Sequence, residues 1–245
     1  IVQITRKEIR KMANNMFDFH NEVHLRGKIF DIVEKKYYTD FFLSCGNNGR
    51  EYRFKKRNGQ YSRDTINVRF FKTEAKTYPK QFKIGDRVTV TAVLQNIVDR
   101  HTQRGKHLEV WGLNMMSVAD DKAKDLNNVQ YRGRIVSAKA INDNYIIINV
   151  KTVTKKKIKN TRENTKFPFI EKEFVSSTAT GMRFPNGGAK DLVYTKYTPG
   201  TWVDMTGTVQ GRKNAKTGKH TQRFVAEKVN IIGEVQKIDL RNQKI

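Results

Sequence analysis

Between Arg50 and Arg63 the chain interleaves cations and aromatic rings: Arg50-Glu51-Tyr52-Arg53-Phe54-Lys55-Lys56-Arg57-Asn58-Gly59-Gln60-Tyr61-Ser62-Arg63. Guanidinium and ammonium groups neutralise phosphates, and aromatic faces stack on bases whatever the sequence, so this mixture suits a single-stranded polyanion. Arg50, Arg53, Lys55, Lys56, Arg57 and Arg63 are candidate phosphate contacts, and Tyr52, Phe54 and Tyr61 are candidate stacking platforms. The alternation also fits a strand with Tyr52 and Phe54 on a buried face. A dense cationic flank beside an apolar core is costly, which favours the binding reading.

A second run of this kind contains Lys155, Lys156, Lys157, Lys159, Arg162, Lys166, Phe167 and Phe169. It is expected as a loop after a strand from Tyr145 to Val153. A lysine-rich loop alone is ordinarily a solvated one, but phenylalanines exposed beside such charge are costly unless something covers them. Two hairpin tips are basic as well: Arg100, Arg104 and Lys106 in one, Arg212, Lys213, Lys216 and Lys219 in the other. Asn214 to Gly218 is good turn chemistry and needs no ligand to explain it. Trp111 is a further candidate for stacking. Like Trp202 it falls on an expected strand, and alternation leaves both core packing and stacking open.

Catalytic chemistry finds little to work with. The 5 histidines have no cysteine partners and no metal-ligand spacing. Asp120-Asp121 is a lone acidic pair, far short of a two-metal nuclease site. No phosphate-binding loop of the P-loop form is present. The expectation is a protein that is not an enzyme and takes no cofactor or metal.

Composition points the same way. The 245 residues carry 48 Lys and Arg against 24 Asp and Glu, a formal net charge of +24. Such an imbalance attracts nucleic acid or an acidic surface and repels basic partners. No apolar run approaches the ~20 residues that cross a bilayer, which argues against a membrane protein. Ile1 to Lys7 holds no apolar core of a secretion signal, and the single cysteine, Cys45, suits a reducing compartment. The expected location is the cytoplasm.

The elements that must position these residues are mostly strands. Residues 1–20 read as a short arm or helix, with apolar positions at Ile4, Ile9, Met12 and Met16. From Asn21, Val23, Leu25, Gly27 and Ile29 alternate with polar residues, as a half-buried strand does. Phe41 to Leu43, Ile66 to Phe70, Val88 to Leu94 and Leu108 to Met116 continue the series. After a polar link at 119–127 the chain begins again. Val129-Gln130-Tyr131-Arg132-Gly133-Arg134-Ile135 repeats the form of Val23 to Ile29, and Gly200 to Thr206 echoes Gly85 to Thr91. Phe224 to Ile232 is matched to Leu108 to Met116. Ordered repetition of this kind implies two copies of one architecture, spanning 21–118 and 128–233, with a tail at 234–245. His101 to Arg104 and His220 to Arg223 share one tetrapeptide out of this register, and are read as convergent hairpin chemistry. Each copy has about five strands, with an interior glycine where a first strand must bend to serve both halves of a barrel. The expected fold class is all-β: two tandem five-stranded OB-fold barrels.

At these residues the chain resembles the bacterial and phage single-stranded DNA-binding protein family. The resemblance rests on Asn21-Glu22-Val23-His24-Leu25-Arg26-Gly27-Lys28-Ile29, Asn67-Val68-Arg69-Phe70-Phe71, Phe82 to Val90 and Leu108-Glu109-Val110. It implies sequence-independent binding and protection of single-stranded DNA in replication, recombination or phage and plasmid propagation. RNA binding, or a nuclease-accessory role, is the alternative. Four barrels per assembly would make a two-barrel chain a homodimer. The chain departs from the family in its basic charge and in ending Lys237 to Ile245 rather than in an acidic tip. Recruitment of replication partners through an acidic tail is therefore not expected.

Overall fold

The alternation that opens at Asn21 buries Val23, Leu25 and Ile29 completely, and the strand that carries them runs His20–Glu34 (β1). In this computed structural model residues 18–45, 64–72, 81–98, 106–120, 122–159, 169–213 and 220–233 are described. Four more strands complete the first barrel: Tyr38–Cys45 (β2), Asp64–Phe71 (β3), Arg87–Val98 (β4) and Lys106–Ser117 (β5). Leu126–Asn142 (β6), Tyr145–Lys159 (β7), Phe169–Arg183 (β8), Trp202–Lys213 (β9) and His220–Gly233 (β10) form the second. A short helix, Ala189–Thr195 (α1), lies between β8 and β9.

Each first strand is shared between two partners, and a glycine marks the hand-over. β1 pairs with β4 from Val23 to Lys28, then with β2 from Lys28 to Glu34. β6 does the same with β9 up to Arg134 and with β7 beyond it. At Gly27 and Gly133 the crossing strand comes so close that a methyl group would overlap the carbonyl oxygens of Ser44 and Lys151. Both strands then bulge, between Ile29 and Asp31 and between Ile135 and Ser137, which sharpens the bend. The turns before the fourth strands also match. Gly85 and Gly200, at φ 102° and 93°, each donate at 2.8 Å to the carbonyl of Ile29 or Ile135. Positive φ is open to glycine at little cost.

The closing strands pair as Leu94 with Val110 and Val209 with Phe224. Phe224 therefore takes the place of Val110, not that of Leu108 as the sequence match had it. The slip is an even one, so inward and outward faces are kept and the pattern alone does not reveal it. A parallel contact at Val68–Val110 and Arg69–Trp111 closes the first barrel between β3 and β5. In the second, Thr180 Oγ1 accepts from the Ala226 N–H at 2.8 Å, and no β8–β10 ladder is present among the described residues.

The core follows these barrels. Leu25, Ile29, Leu43, Ile66 and Leu94 fill the first, and Tyr131, Ile135, Ile146, Ile148 and Met205 fill the second. Each side chain buried to this degree stabilises by roughly 1.5–3 kcal/mol. The barrels join through β1 and β6, antiparallel from His20–Arg132 to Arg26–Leu126. The segment linking β5 to β6 is held down: Arg87 donates to the Ala123 carbonyl and to Asp125 Oδ1, and Arg26 to the Lys124 carbonyl at 3.3 Å.

Candidate nucleic-acid interface

OB-folds present ligand on the outer face of their second and third strands and on the flanking loops. On the first barrel that face is aromatic. Where Leu43, Ile66 and Val68 point inward, Tyr38, Phe42, Asn67, Arg69 and Phe71 take the outward places of β2 and β3. The pairing puts Tyr38 opposite Phe71, Asp40 opposite Arg69, and Trp111 of β5 beside Arg69. Tyr38 and Phe71 meet edge-to-face at 6.3 Å, Phe71 and Trp111 at 5.0 Å, and Phe30 and Phe42 at 6.0 Å.

One guanidinium ties the face together. Arg69 lies 3.9 Å over the Tyr38 ring, donates to both carboxylate oxygens of Asp40 at 2.8 and 2.9 Å, and reaches Glu109 Oε1 at 2.5 Å. Glu109 also accepts from Trp111 Nε1 at 2.7 Å and lies 3.2 Å from His107 Nε2. Burial alone would lower the Arg69 pKa. The Asp40 hydrogen bonds and charge, with the charges of Glu109 and Tyr38, outweigh it and raise the pKa above its usual value. Arg69 is thus a permanent cation whose charge is already met, and it orients the rings more than it attracts phosphate.

The second barrel carries other chemistry in the same places. Register sets Tyr145 where the first barrel has Tyr38, Asn149 for Phe42, Gly181 for Arg69 and Arg183 for Phe71. Tyr145 lies across Gly181, close enough that a methyl there would overlap its hydroxyl. Arg223 and Val225 replace Glu109 and Trp111. At these matched places the aromatic rings stand mostly on the first barrel.

Each barrel's last hairpin reaches the other barrel. His220 Nε2 sits 2.7 Å from the Thr65 carbonyl, and the Gln222 amide both accepts from Asn67 N–H at 3.1 Å and donates to its carbonyl at 3.2 Å. In return, Gln95 donates to the Val175 carbonyl at 3.2 Å and Asn96 to that of Ser177. His220 and Gln222 belong to the tetrapeptide read from sequence as hairpin chemistry. Their partners are the main chain of the opposite barrel.

Many residues expected to bind lie outside the described residues: Arg50, Tyr52, Arg53, Phe54, Lys55, Lys56, Arg57, Tyr61, Arg63, Arg100, Arg104, Arg162, Lys166, Phe167, Lys216 and Lys219. Lys155, Lys156, Lys157 and Lys159 do not form a loop. They continue β7, and Phe169 begins β8. The register sets Lys155 opposite Glu173 and Lys157 opposite Glu171. Lys106 opens β5, while Arg212 and Lys213 close β9, so these too stand at hairpin ends. Trp111 is half-buried on the outer face. Trp202 is buried, 2 % exposed, between Phe19 at 4.8 Å and Arg134 at 4.9 Å. Sequence reasoning did not single out Tyr38, Phe42, Arg69 or Phe71 as a site. The available signal was an aromatic at outward places of strands whose inward places were already filled.

Two five-stranded barrels, each with a bent first strand shared between two partners, define a tandem OB-fold protein. No family model and no curated protein sequence matches the chain. The wild-type single-stranded DNA binding protein from Thermus aquaticus is similar in structure, with a TM-score of 0.56 at 12% identity, covering 89% of this chain and 96% of that one. A deletion mutant of the same protein gives 0.56 and 12%, over 91% and 98%. At this identity the likeness is one of fold.

Among the described residues no helix is long and apolar enough to cross a membrane, and no three His, Cys, Asp or Glu gather as metal ligands.

Proposed function

We propose that this chain binds single-stranded DNA without sequence preference and has no catalytic activity. The observation that carries the reading is the outer face of the first barrel, where Tyr38, Phe71 and Trp111 surround an already neutralised Arg69 on a chain of net charge +24. Rings on an OB face stack on unpaired bases, and a duplex hides the faces they need. The Thermus aquaticus neighbour, named for single-stranded DNA binding, supports the same ligand class.

Phosphate contacts are assigned to the basic runs Arg50 to Arg63 and Lys155 to Phe169 and to the hairpin ends around Lys106 and Lys213. The biological setting that fits is coating and protection of exposed strands in replication, recombination or phage and plasmid propagation, in the cytoplasm. Competition at fixed salt among oligo-dT, oligo-U and duplex DNA tests the reading. Oligo-dT should displace a labelled strand at the lowest concentration. Preference for oligo-U would make the protein an RNA binder, and preference for duplex would reject the stacking mechanism.

A further inference from the structure

A cleft of about 1130 Å³ opens between the two barrels, and both outer faces contribute to it. Arg69, His107 and Glu109 enter from the first barrel; Asn149, Lys151 and Arg223 enter from the second. We propose that this cleft is the passage through which one bound strand crosses from the stacking face of the first barrel to the second, held there by its sugar–phosphate backbone. The inference rests on the single-strand binding reading and adds the route.

The chemistry of the walls favours backbone over bases. Glu109 is the one carboxylate among the described lining residues, and Arg69, Trp111 and His107 already occupy it. Lys151 is exposed, and among the described residues Arg223 is held by hydrogen bonds from Nε and Nη2 to the neutral Gln210 Oε1, at 3.3 and 3.0 Å, so both keep their charge for a ligand. Small and hydroxyl side chains line the cleft, Ser137, Ser177 and Ala179 among them, with Val136 and Val175 more than half exposed. Such a surface accepts sugars, and the one phenylalanine among the described lining residues, Phe224, is buried. The side-chain contacts from His220 and Gln222 to the main chain of Thr65 and Asn67 tie the barrels together beside the cleft.

The test uses the whole chain and oligo-dT of two lengths: about 8 nucleotides, within a single OB-fold's site of roughly 4–16, and about 30, long enough for both barrels. The double variant Lys151→Glu with Arg223→Glu should bind the short strand as the wild type does. It should lack the rise in affinity that the long strand brings to the wild type. Its salt slope on the long strand should fall by roughly 0.7 for each phosphate that is no longer neutralised. Lys190→Glu, exposed on α1 away from the cleft, should change neither. A photo-crosslinker on Ala179→Cys should attach to interior nucleotides of the long strand. Cys45 is fully buried and should not label. A wild type whose affinity rises with length while the double variant keeps that rise, or a crosslinker at residue 179 that captures no strand, overturns the passage alone. Failure of the wild type to bind either strand overturns the binding reading itself.

Discussion

Asn21 and Asn127 perform one task in opposite barrels. The Asn21 amide donates to the Leu94 carbonyl at 2.8 Å and accepts from its N–H at 2.9 Å, while Asn127 does the same to Val209 at 2.8 and 3.0 Å. Both asparagines are buried. At these positions a side chain takes over the ladder hydrogen bonds that a main chain would otherwise make. Removing either amide leaves a buried N–H and C=O without partners, at about 1–3 kcal/mol. Asn21→Ala and Asn127→Ala should each lower the melting temperature by several degrees. An unchanged melting temperature for either would show that water replaces the amide.

Gly27 and Gly133 should be as intolerant of change. A methyl at either meets a neighbouring carbonyl oxygen inside contact distance, at 2.5 Å for Gly27 against Ser44, and main chain does not swing aside as a flexible side-chain end does. Gly27→Ala and Gly133→Ala should each cost roughly 1–3 kcal/mol, as overpacking does. Urea denaturation of the two variants checks this. A destabilised Gly27→Ala beside an unaffected Gly133→Ala, or the reverse, would mean that the barrels do not share the same bend.

Tyr131 gives a pH dependence. Its hydroxyl is buried, donating to the carbonyls of Val150 and Ser176, and burial raises its pKa above the ordinary 10.0 although the Ser176 hydrogen bond opposes the shift. Below pH 10 both the folded and the unfolded tyrosine hold the proton and the group contributes no pH dependence. Above it the unfolded chain ionises first, binds fewer protons and gains, so stability falls as pH rises. Tyr131→Phe should show a shallower decline between neutral pH and about pH 11. An identical alkaline limb would assign the decline to other groups.

These relationships were unequally legible in the sequence. The alternation around Val23 to Ile29 and its repeat at Val129 to Ile135 carry the strands, the glycine bend and the tandem plan, because a half-buried strand declares its two faces locally. The aromatic face is not local. Tyr38 meets Phe71, and Phe71 meets Trp111, only after three strands have found their register. Charge density points instead to Arg50–Arg63, which lies outside the described residues, and it reads Lys155–Lys159 as a loop when their ladder to Phe169–Glu173 extends the hairpin. The reciprocal grip of His220 and Gln222 on β3 was likewise hidden, since its partners are main-chain atoms of the other barrel.

The two tryptophans separate stacking from packing. Single-stranded DNA should quench the fluorescence of Trp111, on the outer face, and leave that of buried Trp202 largely unchanged. Trp111→Phe should abolish most of the quench, and Trp111→Ala should weaken binding by about 1–3 kcal/mol, the usual contribution of one base stack. Quenching that survives in Trp111→Phe would move the strand away from this face.

Direct titration of the whole chain with oligo-dT across a range of salt tests the central claim. The account predicts tight binding at low salt and a log affinity that falls linearly with log salt, at about 0.7 per phosphate neutralised. It also predicts a residual affinity at high salt that Trp111→Ala lowers by about 1–3 kcal/mol. Absence of binding at low salt, or an affinity indifferent to salt, would contradict it.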